Sequence, residues 1–174
     1  VTGQVTGNTI TPTPAATQNS ATMTIKTASV SVSMSSSPAA QTIIRGGNGL
    51  EVGNVQLDGS SSGDDVTVTQ LKTVIRTNGM NPAEISNLKI YDGDTDLNLT
   101  SDPDPTSTDA GSVTTTWNFS PAISLTKGTV KTLKITANIA STPTGAQWYK
   151  FGLQSGCTVT AKDSVGEDAA KTYY

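Results

Sequence analysis

Apolar side chains recur at every second position along most of this chain, in short runs. Leu133, Ile135, Ala137 and Ile139 form one run; Val113, Trp117 and Phe119 form another, with Thr115 in step. Successive side chains on a strand point to opposite faces, so a period of two gives each run one apolar face. No window carries the 3.6-residue period of a helix over several turns. Clusters of Gly, Pro, Ser and Asp separate the runs. The pattern predicts about nine or ten short strands folded into an all-β, two-sheet β-sandwich.

The phase of the alternation changes in two places. Met23 and Ile25 fall on odd positions, whereas Ala28, Val30, Val32 and Met34 fall on even ones. One flat strand over residues 21–34 cannot bury both sets, so the face is expected to change near Thr27, by a bulge or by passage between sheets. Leu50 and Val52 are out of phase with Val55 and Leu57, and Gly53 between them marks a bulge. Residues 42–45 read as a short strand ended by Gly46-Gly47, and residues 65–77 as a long one. Residues 85–91 and 95–100 read as a hairpin turning at Asp92-Gly93-Asp94, a sequence suited to positive φ. Ser120-Pro121 is expected to end the run at 113–119, leaving Ile123 and Leu125 on a separate strand. Thr126-Lys127-Gly128 reads as a turn. Tyr149, Phe151 and Leu153 alternate, as do Cys157, Val159 and Ala161. Residues 165–174 read either as a short strand or as a loose end.

Two regions are expected: a tail over residues 1–20 and a sandwich over residues 21–174. The tail is rich in Thr, Gly and Pro, and Val1, Val5 and Ile10 are its only sizeable apolar side chains. Alone it buries too little to offset chain entropy, so it is expected to be extended unless something holds it.

Composition removes several function classes. With 11 Lys+Arg and a formal net charge of −3, the chain lacks the basic patch that nucleic acid requires. It has no histidine, and so neither the commonest general base nor the commonest metal ligand. Its glutamates, Glu51, Glu84 and Glu167, sit in no catalytic context, so no enzymatic activity is expected. One cysteine permits no intrachain disulfide; Cys157, in step with Val159, reads as a buried inert thiol. No apolar run is long enough to cross a bilayer. Ser and Thr make up roughly 28% of the chain, far above ordinary usage, and charged residues only 14%. That balance points to the outside of a microbial cell. A chain opening on Val1 is expected to be a processed, exported product or a domain of a longer protein.

Candidate sites are few. Asp92, Asp94 and Asp96 have the spacing of the first three ligands of a calcium loop. The sixth and twelfth positions of that loop would be Leu97 and Pro103 rather than Gly and Glu, so an EF-hand fails. A looser oxygen cage for Ca²⁺ would recruit Asp102, Asp104 and Asp109, and Asp58, Asp64 and Asp65 form a weaker set. A solvated hairpin turn is the favoured reading of the first cluster. Trp117, Trp148, Tyr149 and Tyr91 are candidates for a sugar-stacking platform. Trp117 alternates with core positions, which leaves Trp148 as the surface candidate. Asn98 and Asn118 begin glycosylation acceptor triplets, and threonines over residues 9–17 suit O-linked sugar.

Four stretches carry a family resemblance: a Pro-Ala-Ala-Gln opening followed by a Gly-rich turn, the DDVTVTQL strand, the SNLKIYDG hairpin and the KGTVKTLKITANI strand. Over about residues 34–140 they resemble an immunoglobulin-like repeat domain of exported bacterial and archaeal surface proteins of the S-layer, adhesin or pilus type. The resemblance implies an immunoglobulin-like sandwich without a catalytic residue. The segment ahead of it is then expected to enter a neighbouring copy and complete its sheet, with Val5, Ile10, Met23 and Ile25 at the subunit interface. Donor and acceptor surfaces differ in such a contact, so it joins copies head to tail into a filament. In the rival reading residues 21–34 are the first strand of their own sandwich and the tail is a linker. A carbohydrate-binding or adhesive module of a larger surface protein, with glycans as partners, is the alternative function.

Overall fold

The computed structural model describes residues 17, 19–97, 99–109, 111–143, 148–153 and 159–174. Their strands are β1 (Ser29–Met34), β2 (Leu50–Asp58), β3 (Val66–Asn78), β4 (Ile85–Asp92), β5 (Thr95–Asp96), β6 (Ser112–Leu125), β7 (Val130–Ile139), β8 (Trp148–Gly152), β9 (Val159–Lys162) and β10 (Ala170–Tyr173). One 3-10 turn, Pro82–Glu84, precedes β4. The larger sheet has the order β10-β1-β2-β7-β4-β5. In the smaller sheet β3 lies between β6 on one side and β8 and β9, end to end, on the other. The two sheets pack face to face as a β-sandwich. β6 adds to the free edge of β3, and β9 pairs with β3 instead of β8.

The period-two runs supply the core. Leu133, Ile135, Ala137 and Ile139 are all buried on β7, the strand between β2 and β4. Val30, Val32, Val55 and Leu57 join them from the larger sheet. Val68, Leu71, Ile75, Trp117, Phe119 and Leu125 oppose them from the smaller. Each large side chain so buried contributes about 1.5–3 kcal/mol relative to exposure. The switch of phase in β2 is a register break between Glu51 and Gly53. A Cβ at Gly53 would lie 3.3 Å from both Met34 Cε and Phe151 Cβ, a tight fit, so glycine there eases the approach of β8 to β2.

Four expectations are corrected. The strand expected over residues 21–34 begins only at Ser29, and Met23 and Ile25 are 87% and 95% exposed. The switch at Thr27 is therefore the boundary between an unpaired segment and β1, not a bulge. Residues 42–45 form no strand because no ladder reaches them; Ile43 packs on the core while Ile44 stays exposed, and Gly46 (φ 75°) turns the chain. Ser120-Pro121 does not end β6, which runs unbroken to Leu125. The ladder pairs Val68 with Ile123 and Gln70 with Asn118, so residues 119–122 bulge opposite Thr69. Proline, which has no N–H to donate, is tolerated in such a bulge. The hairpin turn at Gly93 (φ 62°) forms as expected, but its second strand is only Thr95–Asp96. At the chain's end, Ala170–Tyr173 resolves the ambiguity as a strand parallel to β1.

β2 divides the molecule into two poles. At its Asp58 end lie Gly59, Thr129, Asp64 and Ser164, joined by Gly59 N–H to Thr129 O (2.9 Å) and by the Ser164 hydroxyl to Asp64. At its Leu50 end lie Ile139 of β7, Asn78 of β3 and Trp148 of β8. Eight strand steps separate them, about 26 Å.

Candidate assembly site

Residues 19–27 leave the sandwich at the Asp58 pole. Their first firm anchor is the Thr27 carbonyl, which accepts from Gly63 N–H (3.1 Å). Ala28 O then accepts from Ala170 N–H (2.9 Å), and Ser29 N–H donates to Ser62 Oγ (2.9 Å). Gly63 makes the close passage possible: a Cβ there would fall 2.3 Å from Lys26 O. Gly63→Val is therefore expected to displace Lys26 while costing about 1 kcal/mol or less of global stability. Trypsin should then cut after Lys26 several-fold faster at an unchanged urea midpoint; an unchanged cutting rate would show that Gly63 does not hold the segment. Ahead of Thr27, Met23 and Ile25 alternate on a segment with no strand partner among the described residues. Val5 and Ile10 lie outside the described residues.

A groove of about 580 Å³ opens at the Leu50 pole. The loop over residues 38–43 forms one wall, with Ala39, Ala40 and Ile43; β8 forms the other, with Tyr149 and Phe151; Val52 of β2 also lines it. The Tyr149 and Phe151 rings meet edge to face, with centroids 6.0 Å apart. β8 is an edge strand: among the described residues, none pairs with it on the side away from β3. Burial pushes the Tyr149 hydroxyl up to about 12 from the usual 10.0. With its folded pKa above its unfolded one, this tyrosine favours the native state fully below pH 10.0 and progressively less as pH rises towards about 12. An ultraviolet titration should show a tyrosine ionising near pH 12, a step that Tyr149→Phe removes. Its persistence in the variant would assign it elsewhere.

Trp148 is 42% exposed on this rim, with Lys150 Nζ 5.0 Å from its ring centroid. Trp117, by contrast, is fully buried. Tyr91 sits on β4 of the other sheet beneath Lys134 (5.2 Å), so the four aromatics form no common platform.

The acidic clusters are used locally. Asp96 pairs with Lys89 (2.8 Å), holding the ammonium's pKa above its usual value, and Asp92 pairs with Lys131. Asp104 accepts from the N–H groups of Asn87 and Leu88, and its own N–H donates to Asp102 Oδ1. Asp58 accepts from Ser60 N–H, Asp64 from Ser164 and Asp65 from Lys127 N–H. Among the described residues no three acidic, His or Cys side chains are grouped to hold a metal ion, so the structure does not bring Asp92, Asp94 and Asp96, or Asp102, Asp104 and Asp109, together as a Ca²⁺ cage. Asn118 Oδ1 accepts from Gln70 Nε2 (2.7 Å) and its Nδ2 donates to Ser101 Oγ (2.9 Å), so both ends of its amide are already engaged. Asn98 and Cys157 lie outside the described residues.

Sequence reasoning missed the groove because its walls come from a loop and from an edge strand far away in the chain. No known family, curated protein or solved structure matches this chain.

Proposed function

We propose that this chain is a non-enzymatic structural module of the cell exterior. Copies join head to tail into a filament, the segment ahead of β1 in one copy adding as a strand to a sheet of the next. One observation carries the reading. Met23 and Ile25 stand at alternate positions, almost wholly exposed, on a segment whose backbone has no strand partner among the described residues. Such a segment gains more than most by pairing with an edge. Each large side chain buried would contribute about 1.5–3 kcal/mol, and each ladder bond about 0.5–1.5 kcal/mol, against an ordering cost of comparable size. The Ser/Thr-rich, weakly charged composition supports an exterior setting, and the missing histidine supports a role without catalysis. The immunoglobulin-like surface-repeat resemblance fits the same use.

Deleting residues 1–26 tests this. Sedimentation and negative-stain imaging should then find only folded monomer, where the full chain forms filaments. Filaments from the truncated chain would overturn the proposal.

A second reading is favoured by Trp148, whose ring is available at the groove rim. In it the chain is a carbohydrate-binding or adhesive module of a larger surface protein. Binding of a polysaccharide that Trp148→Ala abolishes would support that reading; no binding across a glycan panel would remove it.

A further inference from the structure

The segment and the groove lie at opposite poles, and this decides which body the segment can serve. Ile25 is two residues from the Thr27 anchor, so its reach is about 7 Å. The groove begins at Val52, six strand steps from Asp58, about 20 Å away. Ile25 cannot enter the groove of its own sandwich while Thr27 holds. Residues 19–25 carry no charge, so burying them strands no ion. The groove offers what an added strand needs: an edge on β8 with no strand partner among the described residues, and apolar walls at Ala40, Ile43 and Phe151 to receive alternate side chains.

We propose that residues 21–25 of a second copy occupy the groove between the 38–43 loop and β8, paired with the free edge of β8, with Met23 and Ile25 inserted between the walls. The proposal rests on strand addition as the mode of assembly and names its acceptor. Donor at one pole and acceptor at the other leave both ends of every pair free, so each copy added presents a new groove.

Cysteine pairing tests it. In a Cys157→Ser background, one preparation carries Ile25→Cys and another Ala40→Cys, with Lys150→Cys as a second acceptor should Ala40→Cys fail to fold. Mild oxidation of the mixture should give a disulfide-linked heterodimer, and an acceptor at Ser60→Cys, on the opposite pole, should give none. A chain carrying both Ile25→Cys and Ala40→Cys should link only between molecules. Met23→Asp with Ile25→Asp should weaken association about ten-fold or more. If truncation to residue 27 abolishes filaments but neither groove cysteine captures Ile25→Cys, the groove is wrong and strand addition stands. If filaments survive truncation, strand addition itself is wrong. A cross-link within one molecule would overturn the assignment to a second copy.

Discussion

Trp117→Ala is expected to lower the unfolding free energy by about 3–5 kcal/mol, measured by urea denaturation. The residue is fully buried on β6 opposite Leu71 of β3, and its removal leaves a large cavity in the core between the sheets. It also strips a partner from Thr73. The indole Nε1 donates to Thr73 Oγ1 at 2.9 Å in the dry interior, and a buried hydroxyl without a partner costs about 1–3 kcal/mol. Thr73→Val should cost about 1–3 kcal/mol by orphaning the indole. Combined with Trp117→Phe it should cost less than the sum of the single changes, because both members of the bond are then gone. A loss below about 1 kcal/mol for Trp117→Ala would mean that the sheets close over the gap and that the core is not organised around this ring.

Asp104→Ala should cost about 2–3 kcal/mol. β4 changes register between Ser86 and Lys89, where Asn87 takes a positive φ of 50°. The bulge turns the N–H groups of Asn87 and Leu88 away from β7, and Asp104 accepts each on a separate oxygen at 2.7 Å. A carboxylate can serve both donors; an amide has only one acceptor oxygen. Asp104→Asn should therefore lose about half as much as Asp104→Ala. Equal losses from the two substitutions would show that the charge matters and the pair of bonds does not.

What the sequence made legible follows from the range of the forces involved. Alternation is local, so β7 and the inward positions of β6 could be read from residues 113–119 and 133–139 alone. Gly93 was readable because its positive φ restricts what can stand there, and Gly53 because a glycine inside a strand at a change of phase marks a bulge. Pro121 misled because its effect depends on a bulge facing Thr69, which only the partner strand reveals. Residues 42–45 alternate no better than a loop, and their apolar pair splits between core and solvent. Met23 and Ile25 were visible as an out-of-phase pair, but only the third dimension places them at the pole away from the groove. The acidic run at 92–96 has ligand spacing in one dimension; in space Asp92 and Asp96 are each taken up by a lysine. Asp104 looked like one more loop carboxylate, and its partners lie 17 and 16 residues away on a bulge.

A residue-resolved electron cryomicroscopy map of the assembled chain tests the central claim most directly. Density should leave Thr27 of one copy and run into the sandwich of the next, with Met23 and Ile25 enclosed by the neighbour. Residues 19–26 ending in solvent, or folded back on their own sandwich, would contradict it.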